Sequence, residues 1–327
     1  MLLTGRYFVK PIGDLLTLPT EYIDYMLALI APGQGSQTPG MLSAWLEDPQ
    51  LHSLAKEFSE AIGIDVIRLG TTADADEIKD TANAQPLIVA AGLMSAHALG
   101  ATGSFSFVAG HSVGEITAAA IAGALSPIDA MKLVTTRGSE MAKTAGVTPS
   151  GMAAVLGGDR QVVLRAISDL GLVAANDNGG GQIVAAGDLD ALAQLAPDGA
   201  RVRPLAVAGA FHTSYMQSAV EPLRALAATM STSTPAFGVL SNKDGAVVTD
   251  GAEVLDRIVN QIANPVRWDL CMETLLSLGV TGVIEVAPAG TLVGLIKRAA
   301  PSIEQFALKS PADLDAARAF VATHGGK

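Results

Sequence analysis

The chain has 327 residues, 49% of them hydrophobic and only 4% aromatic, with a formal net charge of −11 and one cysteine, Cys271. That charge argues against a general nucleic-acid or anionic-membrane binder, and a single cysteine excludes an internal disulfide framework or a cysteine-based zinc site, so Cys271 reads as a small buried hydrophobe. The length suits one large α/β domain or one carrying an inserted subdomain. The longest apolar runs, such as Pro86 to Met94, are too short to span a bilayer, so a soluble, cytoplasmic protein is expected.

Residues 1–25 differ in character from the rest of the chain: they mix Arg6, Lys10, Asp14, Glu21 and Asp24 with Pro11 and Pro19. They hold no apolar core with a small-residue cleavage site, and the acids argue against a transit peptide. The domain proper is expected to start at Met26, with 1–25 as an added leader. Leu27–Ala31 reads as the first strand, followed by the glycine-rich loop Pro32-Gly33-Gln34-Gly35-Ser36-Gln37 and a helix near Leu42–Trp45. The loop lacks a Lys-Ser/Thr ending and so is not a nucleotide P-loop. It is either a structural turn or a source of N–H groups at the rim of a parallel sheet.

After the apolar stretch Ala84–Ala98 comes the strand Phe105–Ala109 and then Gly110-His111-Ser112-Val113-Gly114-Glu115. Strand, Gly-x-Ser-x-Gly and a helix-forming run make the sequence form of a nucleophile elbow, in which Ser112 stands at a helix N-terminus with backbone N–H groups facing a developing oxyanion. Ser126-Pro127-Ile128-Asp129 starts a helix running to about Ala145. Met131, Val134 and Met141 share its apolar face, and Arg137 falls on the flank of that stripe. An inward guanidinium needs a carboxylate, either the protein's own or a substrate's.

Residues 150–208 then read strand 151–156, helix 160–170, strands 172–175 and 182–186, helix 189–195 and strand 202–207. This is the β-α-β-β-α-β order of a small ferredoxin-like insertion. The rest returns to the large unit through a last strand, 282–286, and a short terminal helix after Pro311 with a frayed end. The expected fold is therefore α/β: a large α/β-hydrolase-like domain with a parallel central sheet (26–149 and 209–327) plus the insertion 150–208.

A serine nucleophile needs a base, and five histidines are available. His324 lies in the tail, His52 and His97 sit in ordinary helical context, and the ring of His111 should turn away from the neighbouring hydroxyl. His212, in Gly209-Ala210-Phe211-His212, is at a strand-to-helix junction among small residues and is the best candidate, against the plainer role of a capping or surface histidine. An α/β-hydrolase esterase shares the elbow, but it would carry an acid between serine and histidine and leave Arg137 unexplained.

Taken in order, Pro-Gly-Gln-Gly-Ser-Gln at 32–37, Gln85-Pro86, Gly-His-Ser-Val-Gly-Glu at 110–115, Arg137-Gly138, Gly-Ala-Phe-His at 209–212 and Asn264-Pro265-Val266-Arg267-Trp268 resemble the malonyl-CoA:acyl carrier protein transacylase family. The wording is most like its actinobacterial members and covers Met26 to about Leu314. The resemblance implies a ping-pong transfer of malonyl from malonyl-CoA to the phosphopantetheine thiol of acyl carrier protein, for fatty acid synthesis, with no metal or other cofactor and in a monomer. It implies Ser112 as nucleophile and His212 as base, with His212 steadied by a backbone carbonyl at Gln261. The N–H groups of Gln34 and Val113 would form the oxyanion hole, and Arg137 would hold the malonyl carboxylate. Asn178, Met141, His111 and Phe211 would line the pocket, Phe211 leaving little room for an α-methyl group. An acidic carrier protein would need a local basic rim; Lys297, Arg298, Arg160, Arg201 and Arg203 are the candidates. A carrier-binding module without catalysis is disfavoured by the joint presence of Ser112, His212, Gln34 and Arg137.

Overall fold

The computed structural model describes residues 26–100 and 102–325; residues 1–25, expected as an added leader, and the last two residues lie outside them. In chain order the elements are β1 (Leu27–Ala31), α1 (Pro49–Ile62), α2 (Val66–Thr71), α3 (Thr81–Leu99), β2 (Phe107–Gly110), α4 (Gly114–Ile121) and α5 (Pro127–Ala145). Next come β3 (Gly151–Gly157), α6 (Arg160–Asp169), β4 (Val173–Asp177), β5 (Gln182–Gly187), α7 (Leu189–Gln194) and β6 (Ala200–Pro204). The last third holds α8 (Gln217–Ala227), β7 (Gly238–Leu240), β8 (Val247–Val248), α9 (Gly251–Gln261), β9 (Val266–Arg267), α10 (Trp268–Ser277), β10 (Gly282–Glu285), α11 (Leu292–Ala299), β11 (Glu304–Ala307) and α12 (Leu314–His324).

Two sheets result. The first has the order β11-β10-β1-β2-β7-β8, parallel except for β8, which runs antiparallel to β7. Its central strands read as unbroken apolar runs because both faces are covered. Leu27 and Leu29 pack under the helices that include α3, α4 and α5, while Ala28 and Ile30 pack against Trp268, Met272 and Leu295 of α10 and α11. The second sheet has the order β6-β3-β5-β4-β9, antiparallel except for the β4–β9 pair. Its own core is built around Val155, Val163, Ile167 and Ile183. No helix among the described residues is long and apolar enough to cross a membrane.

Several sequence expectations shift. Only a 3-10 turn forms at Trp45–Glu47; the regular helix starts at Pro49, where Asp48 accepts from Gln50 and Leu51 N–H and Pro fills the first turn. Ala84–Ala98 belongs to one helix, α3, buried nearly all round. The strand expected at 202–207 lies at 200–204, and β10 is not the last strand, since β11 pairs along it. His324 is not frayed: it is buried at the end of α12, with Nδ1 3.1 Å from Thr281 Oγ1 and its ring centroid 4.3 Å from that of Phe320.

Two features of packing set up the site. At Gly138 of α5 a Cβ would fall 2.9 Å from the carbonyl oxygen of Thr81, so the missing side chain lets α5 close onto the start of α3. That brings the neighbouring Arg137 against Gln85. At the end of β2, a Cβ on Gly110 would sit 2.0 Å from the backbone of Gly114, and one on Gly114 2.2 Å from Ala31 O. Only glycine permits the reversal from β2 into α4.

Candidate active site

Ser112 occupies that reversal with φ +52°, in the left-handed region that side chains rarely adopt. The strained backbone is tied on both sides. Ser112 N–H donates to Asn242 Oδ1 (2.8 Å), Gln261 Nε2 donates to Ser112 O (3.1 Å), and Asn242 Nδ2 donates to Gly110 O (2.8 Å). Asn242 follows β7 and Gln261 ends α9, so two distant segments clamp the turn. Among the described residues, no acceptor takes the N–H of Val113 or of Gln34. The Gln34 loop abuts the elbow, since a Cβ on Gly33 would lie 2.9 Å from His111 O. The Gln34 side chain is tethered through Nε2 to Thr81 Oγ1 (3.2 Å). Backbone N–H groups without acceptors, one next to Ser112 in the chain and one on a loop lining the same cavity, are the parts from which an oxyanion site can be made.

His212 also has a positive φ, +61°, and its own N–H donates to Ile262 O. Its Nδ1 lies 2.9 Å from Gln261 O. A carbonyl can only accept, so Nδ1 carries the proton and Nε2 presents a lone pair to Ser112 Oγ, 2.7 Å away. Burial, reinforced by the positive charge of Arg137, pushes the imidazole down to about 3, so the ring is neutral at pH 7.

Arg137 is 1% exposed. Its Nη1 donates to Gln85 Oε1 (2.7 Å), and Nη2 donates to Gln261 Oε1 (2.8 Å) and to Ser112 Oγ (3.3 Å). All three partners are neutral, and the Nε–H has none among the described residues. Burial lowers the guanidinium to about 10, partly offset by Glu115, and it stays charged at pH 7. Glu115 is reached only through an intermediary: Gln261 Nε2 donates to its Oε2 (2.6 Å), and Asn242 N–H donates to its other oxygen. Burial raises that carboxyl to about 8. The protein's own acid is therefore not in direct contact with Arg137; it stands one side chain away, behind Gln261.

A cavity of about 270 Å³ opens in front of Ser112 and His212 and runs between the two sheets. Gln34, His111, Asn178, Met141 and Phe211 all line it; Val113, Arg137 and Gln261 are not among its lining residues. His111 turns away from the hydroxyl: its Nε2 lies 2.7 Å from Asn178 Oδ1 and its ring packs edge-on against Trp268. Of the basic rim candidates, Arg160 is tied to the buried Asp177 (2.7 Å), whereas Arg201, Arg203, Lys297 and Arg298 are exposed. Cys271 is fully buried, its Sγ donating to Ser241 O, and burial pushes the thiol up. No group of three or more His, Cys, Asp or Glu among the described residues is placed to hold a metal.

Sequence reasoning missed Asn242 and gave no role to Glu115 or Gln85. Glu115 carried the one available signal, an acid in the first turn of an otherwise apolar helix. Asn242 sits in Ser241-Asn242-Lys243-Asp244-Gly245, which reads as an ordinary turn.

Residues 29–317 match the acyl transferase domain family. The chain is 52% identical over 297 residues to the malonyl CoA-acyl carrier protein transacylase of Mycobacterium tuberculosis H37Rv, covering 89% of this chain and 98% of the relative. It is 32% identical over 302 residues to the protein of that name in Escherichia coli K12, covering 89% and 98%. The crystal structure of MCAT from Mycobacterium tuberculosis superposes with a TM-score of 0.87 at 51% identity, covering 90% of this chain and 99% of that one. A malonyl-transacylase solved in complex with its type II PKS acyl-carrier protein superposes with a TM-score of 0.84 at 28% identity, covering 90% and 99%.

Proposed function

The chain belongs to the acyl transferase domain family, and we propose that it transfers malonyl groups from malonyl-CoA to the phosphopantetheine thiol of acyl carrier protein for fatty acid synthesis. The observation that carries this is the convergence of a neutral, carbonyl-oriented imidazole and a buried guanidinium on one serine oxygen, at 2.7 and 3.3 Å.

Ser112 attacks the thioester carbonyl while its proton passes to His212 Nε2. The electron pair displaced onto the carbonyl oxygen is met by the Gln34 and Val113 N–H groups. Collapse breaks the C–S bond, and the departing thiolate of CoA takes the proton back from Nε2. The carrier thiol then repeats the sequence in reverse on the malonyl ester. A base of this kind contributes about 10² to 10⁴ in rate. Gln261 O holds the imidazole in the required tautomer, the part an acid plays in a triad. Arg137 clamps the malonyl carboxylate by exchanging its neutral partners for an anion. His111, Asn178, Met141 and Phe211 wall the acyl pocket, Phe211 against an α-methyl group.

The same reading divides the chain into an α/β-hydrolase-like unit (26–149 and 209–327) and a ferredoxin-like one (150–208). The β6-β3-β5-β4 order supports the second assignment. It places a monomer in the cytoplasm, with Arg201, Arg203, Lys297 and Arg298 offered to the acidic carrier protein. The test is intact-mass measurement after mixing with malonyl-CoA: one malonyl adduct on the wild type and none on Ser112→Ala is expected, and an unmodified wild type overturns the proposal.

A further inference from the structure

The buried charge around Ser112 is unbalanced. Arg137 is enclosed with three neutral acceptors and an Nε–H that has no partner among the described residues, and His212 has a carbonyl where a triad would place a carboxylate. The reaction nevertheless requires His212 to become an imidazolium. The oxygen that gives it the proton is the one Arg137 Nη2 already touches, so the two cations would face each other across Ser112 Oγ. Two positive charges facing each other in a buried site repel far more than they would in water. The charged and titratable groups acting on His212 are Arg137 from α5 and His111 from the turn before α4, and neither brings a negative charge. Glu115 of α4 stands behind the Gln261 side chain and is itself held toward its neutral form by burial.

We propose that the carboxylate of the acyl group, by neutralising Arg137, is what allows His212 to accept the Ser112 proton, so that the substrate switches on the base that acts on it. This rests on the transacylase reading and goes beyond a clamp. A clamp lowers KM for carboxylated acyl groups, whereas here the carboxylate acts on the acylation rate itself, and an acyl-CoA without one binds in front of a disarmed base. The neutral imidazole and the Arg137 hydrogen bond to Oγ together define the resting state, and arrival of the anion draws Nη2 away from Oγ as it supplies the missing negative charge.

Single-turnover acylation of Ser112, followed by intact mass from pH 4.5 to 8, separates these roles. The acid limb of malonylation at saturating malonyl-CoA is expected at least about one pH unit above that of acetylation by acetyl-CoA, because neutralising Arg137 raises the imidazole and brings its protonation into range. Sodium formate, small enough to occupy the place an acetyl group leaves empty, is expected to accelerate acetylation about tenfold and saturably over sodium chloride at equal ionic strength, and to do nothing in Arg137→Ala. Coincident acid limbs overturn the inference, as does formate acceleration of equal size in Arg137→Ala. Absence of any malonyl adduct strikes instead at the transacylase reading, so the two failures are distinguishable.

Discussion

Each polar atom of Ser112 has a partner: N–H on Asn242, C=O under Gln261, and Oγ between His212 and Arg137. The hydroxyl therefore has one orientation for its proton, toward Nε2. Replacing His212 by Ala is expected to slow Ser112 malonylation by about 10² to 10⁴ with little change in malonyl-CoA affinity, measured by rapid-quench acylation over a range of substrate concentrations. Arg137→Ala is expected to abolish malonyl transfer while acetyl transfer persists; equal loss of both acyl groups in an acyl-CoA panel would mark Arg137 as structural. Phe211→Ser is expected to relax discrimination against methylmalonyl-CoA by no more than about 3 kcal/mol, read as a ratio of kcat/KM values. At this scale the sequence was informative wherever chemistry left an improbable residue: a serine between glycines, an arginine on an apolar flank, a histidine among small residues. Asn242 left no such trace, because its partners lie 132 and 130 residues away in Gly110 and Ser112.

The elements that aim these side chains depend on places where a Cβ is forbidden. Gly114→Ala would drive a methyl into the carbonyl of Ala31, backbone against backbone. It is expected to destabilise the protein by about 3 kcal/mol or more, measured as a loss of denaturation midpoint, with Ser112 acylation lost in whatever folds. The capped helices were legible because their signals are local: Ser126 accepts from Asp129 N–H and Pro127 follows it, as Ser-Pro-x-Asp suggests. Helix α3 was not, since it is buried on nearly all sides and shows no amphipathic period from which helix could be told from strand. The two-residue strands β8 and β9 are made by their neighbours. β9 exists because Asn176 and Asp177 of β4 pair with Val266 and Arg267, a contact no local pattern announces.

Across the whole molecule, the cavity lies where the two sheets meet, and the His111–Asn178 contact joins the elbow to the second sheet. The alternation of apolar runs foretold a mixed α/β fold but not the added strand β9, which extends the second sheet from a distant part of the chain. Buried titratable groups tie stability to pH. Glu115 is raised from 4.5 to about 8, so between those values the folded state holds a proton that the unfolded chain has released, and stability falls as pH rises. His212 is depressed from 6.5 to about 3, so its effect has the opposite sign and ends at 6.5. The denaturation midpoint is therefore expected to fall between pH 6.5 and 8, and less steeply in Glu115→Gln; an unchanged slope in that variant would contradict the assignment. Because the family match begins at residue 29, removal of 1–25 is expected to leave malonyl transfer intact.

The central claim is that Ser112 carries malonate between two thiols. Malonyl-enzyme freed of CoA by gel filtration and mixed with phosphopantetheinylated acyl carrier protein tests this in one step by mass. The malonyl group is predicted to leave Ser112 and appear on the carrier thiol in equal amount. An adduct that stays on the enzyme, or that is lost to water without reaching the carrier, would contradict it.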